Sequence, residues 1–146
     1  MPRMTAWRKL GKGRSSGRNQ GISETTERVR QLVDGIESAV SAGNDLELAS
    51  YLAPPALGHA LAQTAALRAA GSTWLPARAG LRWSGSDRSP DGPGRFWLRL
   101  RFDDRTEVRS ESGTFTAASI THEVEVELET TSAPWRLCQA EEVFSE

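Results

Sequence analysis

Two blocks between residues 95 and 129 alternate apolar and polar side chains with a period of two. The first is Arg95-Phe-Trp-Leu-Arg-Leu-Arg-Phe102 and the second is His122-Glu-Val-Glu-Val-Glu-Leu-Glu129. That period marks strands with one buried face. Upstream the pattern takes the helical period. Val29, Leu32, Val33, Ile36 and Val40 share one face and predict a helix over 23–42. Ser23 suits its N-cap, Glu24 and Glu27 its first turn, and Gly43 its stop. A short helix is predicted over 45–52, capped by Asp45, with Leu46, Ala49 and Leu52 as its packed side. Pro54-Pro55 opens a third helix that runs to about Ala70 and stops at Gly71. Leu57, Leu61 and Thr64 form its stripe, its alanines allow close approach to a sheet, and His59 and Gln63 sit one turn apart on a neighbouring face. Residues 72–83 read as a strand whose Pro76 places its start at a sheet edge. Residues 84–94 read as a long exposed hairpin loop.

The two alternating blocks also predict their own pairing. A three-residue loop at Glu111-Ser112-Gly113 puts Arg101 opposite Glu123, Arg99 opposite Glu125 and Trp97 opposite Glu127. On the other face Phe102 meets His122, Leu100 meets Val124, Leu98 meets Val126 and Phe96 meets Leu128. A shift of one residue would mix the two faces, so register and burial must agree. The same reasoning at Thr130-Thr131-Ser132-Ala133 places Leu128 opposite Trp135, Val126 opposite Leu137, Val124 opposite Gln139 and His122 opposite Glu141. Arg136 then opposes Glu127. The expected sheet has one apolar face and one face of crossed Arg and Glu. Each exposed pair contributes about 0.2–1 kcal/mol at most, which makes that face chiefly a solubility and register device.

Charge divides the chain in two. Residues 1–18 carry Arg3, Arg8, Lys9, Lys12, Arg14 and Arg18 and no acid. Beyond them twelve basic residues stand against nineteen acidic ones. Residues 1–21 therefore read as a flexible basic tail and 22–146 as one domain. Lys9 and Lys12 are the only lysines, a bias that fits GC-rich bacterial coding. The single cysteine, Cys138, excludes an internal disulfide and argues against a Cys-based metal site. It fits a reducing, cytoplasmic compartment. No apolar run reaches the roughly 20 residues of a membrane-spanning helix, and no apolar segment follows the basic start as in a secretory signal. Gly11-Lys12-Gly13 lacks the spacing of a phosphate loop. No cofactor is expected, and the acidic body argues against a nucleic-acid partner.

N-terminal helices followed by long antiparallel strands, ending in Pro134-Trp135-Arg136-Leu137, resemble the NTF2-like superfamily over about residues 22–145. The lack of an early strand pair between the second and third helices looks more like its Tim44-like or Mce-associated branch. The resemblance implies an α+β fold in which N-terminal helices pack on a curved antiparallel sheet, forming a cone with a pocket. Some members of the family are small isomerases or cyclases, and many are binding or assembly modules. No catalytic motif of those enzymes matches this chain.

Two sets of residues carry the functional expectation. Asp104, His122 and Glu141, with Gln139 beside them, fall at one end of the apolar face, where a His between carboxylates could serve as a general base. The competing reading leaves them at the solvent rim. Of the five tryptophans, Trp74, Trp83 and Trp135 read as core or pocket lining. Trp97 lies on the charged face with Arg99 and Arg101, either as a contact surface or packed under a neighbouring Arg. The first expectation is a non-enzymatic module that binds a protein partner, or a second copy as a homodimer, through that face. A small apolar ligand could enter the cone. The alternative is a small pocket enzyme using Asp104, His122 or Glu141.

Overall fold

The computed structural model describes residues 16–116 and 120–145. Three helices come first, α1 (Ser16–Ala42), α2 (Asp45–Leu48) and α3 (Ala56–Ala69). Seven strands follow, β1 (Thr73–Leu75), β2 (Arg78–Gly85), β3 (Arg95–Asp104), β4 (Glu107–Ser110), β5 (Gly113–Thr116), β6 (Ile120–Glu129) and β7 (Arg136–Ser145). The fold is thus α+β, with helices preceding antiparallel sheets. The larger sheet has the open order β2-β3-β6-β7 and the smaller β1-β4-β5.

The apolar stripe of α1 lies on the larger sheet. Val29 and Leu32 form one buried cluster with Leu98, Leu100, Val126 and Leu128, and Leu81, Trp83, Phe96, Trp135 and Leu137 pack around it. Full burial of one such aliphatic side chain stabilises by about 1.5–3 kcal/mol, so this interface dominates the fold. Further along α1, Ala39 forms a second cluster with Leu48 and Leu52.

Several helix details differ from the sequence reading. α1 starts at Ser16, so Ser23 lies inside it, and residues 16–21 are helix rather than tail. Residues 1–15 of the expected tail lie outside the described residues. Asn44, not Asp45, caps α2: its side-chain carbonyl accepts from the Glu47 amide at 3.0 Å. α2 ends after one turn, so Leu48 and Leu52 turn inward while Leu46 is 85% exposed.

The predicted strand over 72–83 is two strands in two sheets. β1 pairs with β4 and β2 with β3, with Pro76 and Ala77 between them. In β2 a bulge between Ala79 and Arg82 contains Gly80 at φ 65°, which a glycine adopts without strain.

The pairing of β3 with β6 is as the alternation predicts, from Arg95 opposite Glu129 to Asp104 opposite Ile120. The turn that produces it is different. Ser110 pairs with Gly113, leaving a two-residue turn, and β4 and β5 keep that register up to Glu107 opposite Thr116. Two residues on one strand and three on the other then separate this arm from β3 and β6, which restores the register inferred from burial.

The expected pairing of β7 is incorrect. Leu128 faces Leu137, Glu127 faces Gln139, Val126 faces Ala140, Glu125 faces Glu141 and Val124 faces Glu142. Six residues, not four, connect Glu129 to Arg136. Bulges pass over Cys138 and Val143. The consequence is that Glu141 lies on the charged face and Glu142 on the face of His122.

Candidate functional site

The charged face of the larger sheet is the first candidate, and the β2–β3 connection covers it. Residues 86–94 fold back over the sheet instead of extending into solvent. Ser86 donates its hydroxyl to Glu125 at 2.5 Å, and the Asp91 amide donates to Glu127 at 2.7 Å. Arg88 reaches Glu141 at 2.6 Å and holds its guanidinium 4.0 Å above the Trp97 ring. Gln139 donates to Asp91 at 2.8 Å and to Glu127 at 3.0 Å. Beneath this cover Arg99 lies 3.5 Å from both Glu123 and Glu125, and beyond it the exposed Arg101 lies 3.7 Å from Glu123. Trp97 is 5% exposed and Glu127 0%. The cation–π packing of Trp97 under an arginine is what the structure contains. Trp97, Arg99 and Gln139 therefore do not form an open contact surface, and Arg101 is the one of the four that stays exposed. The carboxylates form a paired and hydrogen-bonded internal network, where loss of one partner costs far more than at a solvated pair.

The second candidate lies at the far end of the inner face. Nδ1 of His122 is 2.6 Å from a Glu142 carboxylate oxygen, and Nε2 is 3.4 Å from Asp104. A carboxylate only accepts, so Nδ1 carries the proton in the shorter contact. The Phe102 ring packs on the imidazole at 5.6 Å between centroids. The expected His between carboxylates is present, with Glu142 in the place assigned to Glu141. The Asp104 and Glu142 side chains are 36% and 48% accessible, so the group stands at the solvent rim. Asp104 also shapes the backbone, because its other oxygen accepts from the Thr106 amide at 2.9 Å where β3 breaks into β4. Next to it, Arg78 joins sheet to helix, 2.5 Å from Asp34 and 3.8 Å from Glu37. Burial pushes the Glu37 carboxyl above its ordinary value, and Arg78 only partly opposes this.

Of the two places expected for Trp83, core or pocket lining, the structure has the core, where it packs against the cluster beneath α1. Its indole N–H donates to Thr26 at 2.9 Å.

The third candidate is a cleft of about 420 Å³ between the C-terminal half of α1, the α3 helix, β1 and β7. Ile36, Val40, Leu52, Ala56, Ala60, Trp74 and Ala140 supply much of its apolar wall, and His59 and Gln63 stand on its α3 side. The i, i+4 spacing of His59 and Gln63 is visible in the sequence, but their meeting with β7 is not. It depends on the strap between α2 and α3, where Leu137 accepts from the Ala53 amide at 2.9 Å and donates its own amide to Tyr51 at 2.8 Å. Those bonds hold residues 51–53 against the edge of β7 and fix one wall of the cleft.

No family model matches the chain, and no curated protein matches it. Among solved structures it is similar to the intermembrane space region of the chloroplast protein ARC6. The TM-score is 0.59 at 13% identity, over 80% of this chain and 95% of that one. The likeness is one of fold. No helix among the described residues is long and apolar enough to cross a membrane.

Proposed function

We propose that the protein is a non-enzymatic binding and assembly module of the NTF2-like kind, and that its receptor is the cleft between α1, α3, β1 and β7. The observation that carries this reading is a concave, largely apolar wall with a few polar groups at its edge, the usual character of a ligand or side-chain pocket. Its volume suits one bulky apolar side chain of a protein partner or a small apolar ligand. The charged sheet face drops out as the receptor because residues 86–94 already occupy it.

The test uses the neutral apolar dye N-phenyl-1-naphthylamine, titrated against the full chain at about 0.5 M salt to screen charge effects. Saturable binding is expected. Ala140→Trp fills the cleft from an exposed position of β7 and should weaken the dye by about tenfold or more at an unchanged fold. Equal dye affinity in the variant would remove the cleft as receptor.

A second reading, a small isomerase- or cyclase-like enzyme, draws on His122 held between Asp104 and Glu142. It requires that this group face an enclosed substrate, and the accessibility of both carboxylates weighs against it. His122→Gln should leave dye binding unchanged; loss of dye binding would tie the two sites together.

A further inference from the structure

We infer that the cleft receives the basic N-terminal segment of a second copy of this chain, so that two copies exchange segments and form a dimer. This rests on the binding reading of the cleft and names its occupant. Three observations lead to it.

The first is the electrostatic character of the cleft's surroundings. Two of its walls, α1 and β7, run on into acidic residues, whereas α3 carries none. Ile36 is followed by Glu37, which shares Arg78 with Asp34. Ala140 is followed by Glu141 and Glu142, and Glu142 meets His122. Pro76 leads to Arg78, which pairs in the sheet with Asp104. Against Asp34, Glu37, Asp104 and Glu142 stand Arg78, Arg105 and Arg30, and Arg30 is shared between Asp34 and Glu27, so the balance is slightly negative. Glu141 is engaged by Arg88 on the other face and adds little.

The second is the chemistry of residues 1–14. They hold five basic residues, no acid, and two bulky apolar residues other than methionine, Trp7 and Leu10, in the run Trp7-Arg8-Lys9-Leu10. That combination complements an apolar cleft with an acidic border. Complementary charge steers and orients such an encounter, while the apolar side chain supplies the burial.

The third is reach, which decides between the same copy and another. The cleft lies beside Ile36 and Val40, and Ser16 starts α1. The twenty residues from Ser16 to Ile36 cover about 30 Å of helix. The nine steps from Trp7 to Ser16 span about 30 Å only if fully extended, and the six from Leu10 about 20 Å. Within one copy Trp7 would arrive with no slack and Leu10 would fall short. A second copy has no such limit, and a reciprocal exchange closes as a two-fold dimer.

The experiment measures mass by light scattering of the full chain at low salt and about 100 μM, a concentration at which weak dimers populate. A dimer is expected that dissociates at about 0.5 M salt. Three full-length variants should be monomeric at low salt: Trp7→Ala/Leu10→Ala, Arg8→Glu/Lys9→Glu and Ala140→Trp. A monomeric wild-type chain overturns the inference, as does a dimer that survives the N-terminal substitutions. A wild-type monomer whose dye affinity rises with the Trp7→Ala/Leu10→Ala change also overturns it, because the segment then acts within one copy. The dye titration of Ala140→Trp at high salt judges the cleft itself, so failure of the exchange and failure of the cleft give different results.

Discussion

At the scale of single residues, two positions on α1 carry opposite lessons. Glu37 sits where helix and sheet close on each other, and burial holds its carboxyl above the ordinary value. A carboxyl raised in the folded state binds its proton more tightly folded than unfolded. Its contribution to stability is therefore present at acid pH and is lost as pH rises through the folded value. Glu37→Gln mimics the protonated form. It should unfold at a higher temperature than the wild type near pH 7, with the difference vanishing towards pH 4; a variant less stable at pH 7 would show that the Arg78 contact outweighs burial. Gly35, two residues earlier, faces the ring of Tyr51. A Cβ there would overlap ring atoms of Tyr51, well inside van der Waals contact. Helix propensity alone favours Gly35→Ala by about 1 kcal/mol. Overpacking costs about 1–3 kcal/mol. The ring also leads into the strap that positions the cleft, so urea titration should show net destabilisation.

At the scale of elements, the same alternation is decisive in one hairpin and misleading in the next. β3 and β6 each keep an unbroken period of two, so burial alone selects their register, whatever the turn between them. β7 breaks its period twice, at Leu137-Cys138 and at Glu141-Glu142-Val143, and each break is a bulge. Those doubled apolar and acidic residues are the available signal, and they exchange Glu141 for Glu142 beside His122. The cover over the charged face has no such signal. Residues 86–94 contain no apolar side chain besides Pro90 and Pro93, and what holds them is hydrogen bonding to carboxylates of distant strands together with Arg88 on Glu141 and Trp97. Arg88→Ala removes the guanidinium from above Trp97 and should lower stability. It should also red-shift the tryptophan emission, since Trp97 is nearly sealed in the wild type; an unshifted spectrum would mean the loop stays in place without Arg88. The bulge at Cys138 offers a second readout. The thiol is 0% exposed, and burial pushes it above its ordinary value. It should react with dithiobis(nitrobenzoate) slowly in the native protein and at once in urea. Fast native labelling would indicate that the β7 edge opens locally.

At the scale of the whole molecule, the two sheets are unequal in what they bury. The larger sheet holds the cluster of Leu98, Leu100, Val126 and Leu128 against α1. The arm of β1, β4 and β5 has no buried residue among those described, and Phe115 near its tip is 67% exposed. Backbone hydrogen bonds that shield few apolar contacts open at low free energy, whereas those over the main core open only with global unfolding. Amide exchange should therefore rank β4 and β5 as the first strands to exchange and the centres of β3 and β6 as the last. The cleft lies at the seam between these two regimes, with Trp74 and Pro76 on the loosely held side and Leu137 and Ala140 on the sheet. Occupation of the cleft would bridge the seam. Exchange in β1 should then slow when the dye is bound, while the slowest amides of β3 and β6, already limited by global unfolding, slow only as far as overall stability rises. Selective slowing in β1 is the result expected of a receptor at the seam. Equal slowing throughout would indicate that the dye stabilises the fold without closing the cleft.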